Sequence, residues 1–315
     1  MKNLFTWKDY PKNEKDFHNL MLAVDKELTN RGLQPFQRSM HISRLFAEAF
    51  NWSGNIFPDK KLVQLPGFEG QVLMAKAQKW YEDFYANKLN ICLDSFPIII
   101  RNNLWEMRIP YVYGKVDFFV NKNLNIEKKE NKLNTCNILT LINDFSQYLA
   151  DDLTVEEIRN IILKFDLALK ALYWQSKLPK LETPKEDLFS IAKADYESST
   201  LLLLKLKKSS YGLSMWSSQQ TVEKTLKGLL SLGNFTFPTT NNGHNFTNLQ
   251  SLIKNNINVD IPTTLLDKMN YKPKIRYEEN DHKQNLALIA NHGVLELFKF
   301  LSEDKNMKLY LLNFN

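Results

Sequence analysis

Five residues separate Arg276 from His282, and the two side-chain types together could do phosphate chemistry. A guanidinium fork holds a phosphate in two hydrogen bonds and stabilises charge developing on it, while an imidazole that titrates near neutrality can move a proton. Arg276 is the last arginine of the chain and the only one after Arg159. The residues between the pair are Tyr277, Glu278, Glu279, Asn280 and Asp281, so the competing reading is a structural arginine paired with one of these acids and a surface histidine. His244 is open to a packing or capping role as well as a site role. His292 lies within an apolar periodic stretch and reads as a buried or interface histidine.

Around these residues the pattern from about 187 to 302 is helical. A first helix, LFSIAKADYESSTLLLLKL, spaces Ala192, Asp195, Tyr196, Ser199 and Leu203 by three to four. A second, YGLSMWSSQQTVEKTLKGLLSLG, sets Val222, Leu226, Leu229 and Leu230 in an apolar stripe, with Glu223 and Lys227 one turn apart in the favourable order. By that pattern alone the Gln/Glu/Lys side of this helix is a solvated face. The element His244-Asn245-Phe246, followed by Leu249 and Leu252, opens a third helix, and Lys274-Ile275-Arg276-Tyr277 precedes the last one.

Those four pieces, in that order, resemble the HEPN family of helical domains. Ser218-Gln219-Gln220, Val222-Glu223-Lys224 and Leu226-Lys227 are similar to that family's second-helix signature, and Arg276-Tyr277 to its Arg-Tyr element. At Asn245 and Phe246 the chain departs from the family's usual Asp and aliphatic residue. The resemblance implies an all-α bundle that pairs as a homodimer through this C-terminal domain and faces RNA or nucleotide. It further implies a metal-independent endoribonuclease with Arg276 and His282 catalytic, assisted in binding by His244, Lys274 and Tyr277, in a toxin–antitoxin or phage-defence setting. The alternative is a non-catalytic nucleotide- or protein-binding module with a regulatory N-terminal domain.

The rest of the sequence bounds these readings. Of 315 residues, 43% are hydrophobic and 24% charged, a globular composition. The net charge of +6 is spread out, and residues 181–315 carry 16 basic and 14 acidic side chains, so no basic stripe for duplex DNA is present. Cys92 and Cys136 make no CxxC pair and no metal-ligand cluster with histidine. No cofactor motif is found: there is no P-loop, GxGxxG, HExxH or GxSxG. Asp117 after Gly114-Lys115 lacks the Gly-Ser opening and paired aspartates of a nucleotidyltransferase. The opening MKNLFTWKDYPKNEKDF has no apolar core of a secretory signal, and the longest aliphatic run is Leu201 to Leu204, which predicts a cytoplasmic protein without a membrane span.

Overall the fold expected is α+β and mostly helical. Residues 1–177 form a mixed α/β domain with a small antiparallel sheet, 178–187 a connector rich in Pro179, Pro184 and charge, and 188–315 the helical domain. In the first part, Phe17, Leu20, Met21, Val24 and Leu28 predict a helix that stops at Gly32, and further helices are predicted from about 35 to 52 and 71 to 89. Three short antiparallel strands are expected between Ile91 and Val120, then a solvated loop over NKNLNIEKKENKLN. The capping-box pair Thr154 and Glu157 starts a long helix reaching about Gln175. Trp80, Trp105, Glu106, Arg108 and Tyr111 could line a pocket or pack a sheet against aromatic helices.

Overall fold

The computed structural model describes residues 5–56, 58–85, 92–112, 115–126, 135–179, 187–204, 211–238, 245–277 and 284–314, with the side chain of residue 36 left aside. The fold is α+β and mostly helical. It forms two compact units, Met1–Ile91 and Cys92–Asn315.

The first unit packs three amphipathic helices, α1 (Glu14–Asn30), α2 (Pro35–Phe50) and α3 (Gly70–Tyr85). Helix α1 starts where Asn13 accepts the Asp16 N–H and ends before Gly32, whose φ of 79° suits a residue without a Cβ. Its buried residues are the predicted Phe17, Leu20, Met21, Val24 and Leu28, which meet Ile42, Leu45 and Phe46 of α2 and Leu73, Met74, Ala77 and Tyr81 of α3 in one core. A polar lock spans all three helices: the buried Arg38 guanidinium donates to Asp25 at 3.0 Å and to the Tyr85 hydroxyl at 2.7 Å, and that hydroxyl donates to Asp25. Pairing and hydrogen bonding offset the cost of taking the arginine out of water. The described residues of this unit contain no strand.

The second unit begins with an antiparallel hairpin, β1 (Cys92–Ile100) and β2 (Asn103–Pro110), turned by Arg101 and Asn102, both with positive φ. The third expected strand is instead β3 (Asp117–Phe119), which pairs in parallel with β4 (Thr135–Asn137) and not with the hairpin. Residues 127–134 of the expected loop lie outside the described residues. After the short α4 (Gln147–Asp151), helix α5 (Val155–Ser176) starts at the predicted capping box, with Thr154 and Glu157 each bonded to the other's backbone N–H.

The remaining helices are α6 (Leu188–Leu204), α7 (Tyr211–Leu232), α8 (Phe246–Ile257), α9 (Thr263–Leu266), α10 (Gln284–Glu303) and α11 (Lys305–Leu311). One hydrophobic core runs from Phe96, Ile98 and Met107 of the hairpin through Phe165 and Leu172 of α5 to Leu226, Leu249, Leu297 and Phe298 of the bundle. The ring of Trp174 lies 5.5 Å from that of Phe298, so α5 packs along α10. The compact division therefore falls between Ile91 and Cys92. Hairpin and α5 share the bundle's core, while the expected connector at 178–187 lies inside the second unit, with residues 180–186 outside the described ones.

Candidate functional site

Arg276 closes a single 3-10 turn, Pro273–Arg276, between α9 and α10. The turn is pinned from below by Ile275, which is buried among Leu203, Tyr211, Met215, Ala287 and Ala290. It is pinned from the side by Gln219, whose buried side-chain oxygen accepts the Tyr271 backbone N–H at 3.0 Å. With the backbone fixed at both ends, Arg276 itself points to solvent. Its guanidinium carbon sits 4.6 Å from the centroid of the Trp216 ring on α7 and 5.2 Å from that of Tyr277, and its Nε donates to the Pro273 carbonyl at 3.1 Å.

Stacking on an indole face holds a guanidinium in place without consuming its terminal N–H donors. Among the described residues no carboxylate lies within ion-pair distance of Arg276. Lys272 and Lys274 are exposed on the same segment, and Tyr277 is 75% exposed, so cationic and aromatic groups share one surface. That surface can accept a phosphate and stack a base beside it.

Of the residues predicted for the site, the structure thus brings together Arg276, Lys274 and Tyr277 and adds Trp216. His282 and His244, with Glu278, Glu279 and Asp281, lie outside the described residues. The cap of α8 is Asn245, which accepts the Thr247 N–H at 2.8 Å and so satisfies a helix-end donor.

The polar side of α7 is not a solvated face. Ser218, Gln219, Thr221, Glu223, Thr225 and Lys227 are all buried. Ser218 and Ser214 share hydrogen bonds with Ser199 of α6 at 2.7 and 3.2 Å, and Asn291 of α10 donates to Ser199 and Thr200 at 3.1 Å each. Glu223 accepts from Lys227 at 2.7 Å, and Lys224 pairs with Asp195 of α6. The signature residues of the second helix thus bind three helices and the Arg276 segment to one another. Partners satisfy most of these buried polar groups, the Asn291 amide oxygen meeting none among the described residues, and the network limits the ways the helices can pack.

His292 is buried, as expected, and its Nε2 lies 2.7 Å from the Pro97 carbonyl oxygen. A carbonyl only accepts, so Nε2 carries a proton. Burial lowers its pKa to about 4, with the Lys164 charge acting in the same direction. Trp105 packs edge-on against Phe145 in the core, and Glu106 accepts from Asn143, which favours the sheet-packing reading for these two residues. Among the described residues there is no group of histidine, cysteine and carboxylates able to hold a metal ion, and no helix is long and apolar enough to cross a membrane.

Comparison of the chain with protein-family models, with curated proteins and with solved structures returns no match.

Proposed function

We propose that residues 188–315, within the second unit, form a HEPN-type domain that binds RNA at the Arg276 turn and cuts it without a metal ion. The observation that carries this reading is the placement of Arg276: solvent-facing, stacked on Trp216, and without a carboxylate partner among the described residues. A structural arginine would spend its terminal donors on a protein acceptor, and among the described residues those of Arg276 meet none. In the proposed reaction Arg276 binds the scissile phosphate and His282 takes the proton of the 2′-hydroxyl. The 2′ oxygen then attacks phosphorus, the bond to the 5′ oxygen breaks, that oxygen takes a proton from water and leaves as a 5′-hydroxyl, and a 2′,3′-cyclic phosphate remains.

Lys274 supplies a second positive charge and Tyr277 a face on which a base can stack. The homodimer is part of the proposal. Phe298 is fully buried and unavailable to a partner, while Leu213 of α7 and Leu286 of α10 are exposed. Pairing there would bring two arginines toward one phosphate. A cytoplasmic toxin or phage-defence role is what the family resemblance adds.

The test is purified protein incubated with total RNA in EDTA. Products ending in cyclic or 3′ phosphate, lost in Arg276→Ala and in His282→Ala, support the nuclease. Intact RNA with retained binding of a nucleotide moves the function to the binding-module alternative.

A further inference from the structure

A cavity of about 400 Å³ opens in the second unit between the hairpin, α5 and α10. Its size falls within the usual range for small-molecule sites, and its lining has the usual composition of one, mostly apolar with a few placed polar groups. Ile98, Ile99, Ile161, Leu288 and Ile289 form the apolar walls. His292 lies at the buried side and is held rigidly by its bond to the Pro97 carbonyl, which leaves Nδ1 as an acceptor with no donor among the described residues. Toward the mouth are Asn160, Lys164, Lys268 and Glu296.

The charges decide the ligand class. Lys268 and Glu296 pair with each other and cancel. Lys164 is half-buried and has no carboxylate within ion-pair distance among the described residues, so it leaves the cavity with one uncompensated positive charge. A half-buried cation beside apolar walls favours an anion that brings its own apolar body. We infer that this cavity binds a small amphipathic monoanion, a carboxylate on an aliphatic or aromatic body, with the anionic end at Lys164 and the body between the isoleucines. The proposal stands independently of whether the Arg276 turn cuts RNA.

Calorimetric titration of the full chain with octanoate, octanol and octylamine tests it. Octanoate is expected to bind at least tenfold more tightly than octanol, with octylamine weakest. Lys164→Glu should lower octanoate affinity at least tenfold. Asn160→Trp, at an exposed position on the rim, should block the mouth and abolish binding, and circular dichroism should show both variants folded. Absence of octanoate binding up to millimolar concentration, equal affinity for octanol, or binding unchanged in both variants would overturn the proposal.

Discussion

The guanidinium of Arg276 rests on the indole of Trp216, with 4.6 Å between the guanidinium carbon and the ring centroid, although 59 residues of sequence lie between them. Trp216 is therefore a positioning residue for the arginine. Replacing it with alanine should leave the charge in place but free the side chain to rotate, weakening RNA binding several-fold, since a contact of this kind contributes about 0.5–1 kcal/mol at exposed sites. Trp216→Phe should retain most of the effect. Fluorescence anisotropy with a short single-stranded RNA checks it, and Trp216→Ala binding as tightly as the wild type would show that the stack positions nothing.

Arg276→Lys is a sharper substitution than it looks, because an ammonium keeps the charge but loses the planar fork and its paired donors. Binding to RNA should fall less than tenfold while any cleavage falls far more. Parallel losses in the two measurements would reduce Arg276 to a charge.

Gly228 sits where α7 passes α6, and a Cβ built there would lie 2.6 Å from the buried ring of Phe189. On propensity alone Gly228→Ala would stabilise the helix by about 1 kcal/mol. Overpacking costs about 1–3 kcal/mol and should win, because a ring in the core has nowhere to go. Thermal unfolding of the variant should show a lower midpoint, and a higher one would mean that α6 can shift.

One buried and one half-buried group give stability opposite pH slopes. His292 has a pKa of about 4 in the folded chain against an ordinary 6.5, so between those values the unfolded state binds the extra proton and stability falls as pH drops. Asp94 is raised to about 7 by burial, with one oxygen meeting no donor among the described residues, so the folded state binds the extra proton and stability falls as pH rises from about 4 to 7. Asp94→Asn should thus raise the unfolding midpoint at pH 8, with the gain shrinking toward pH 4. A gain independent of pH would mean that the Asp94 charge is not what costs stability.

Because the hairpin, α5 and the bundle share one core, a chain starting at Cys92 should fold with a cooperative transition. One starting at Asp187 uncovers Phe298 by removing Trp174, along with the carbonyl that holds His292, and should aggregate or bind a hydrophobic dye. A cooperative fold of the shorter fragment would restore the boundary at the connector.

Much of this fold is legible locally. The five buried residues of α1 and the capping box of α5 follow from spacing and hydrogen-bonding capacity, and both operate within a few residues of chain. The parallel partner of β3 is not legible, since Thr135–Asn137 is three residues long and carries no strand signal of its own. Nor is the burial of Gln219, Glu223 and Lys227. Their types and spacing describe a solvated face equally well, and the groups they meet, such as the Tyr271 N–H, belong to distant segments. At the site, Arg276, Lys274 and Tyr277 come from one short motif, whereas Trp216 is joined to them only by folding.

The most direct test of the account is the chemistry of RNA ends after incubation with the purified chain in EDTA, analysed beside Arg276→Ala and His282→Ala proteins of unchanged circular dichroism. The account predicts 2′,3′-cyclic phosphate or derived 3′-phosphate ends from the wild type and none from either variant. RNA left intact by the wild type, or cleavage that survives the loss of Arg276, would contradict it.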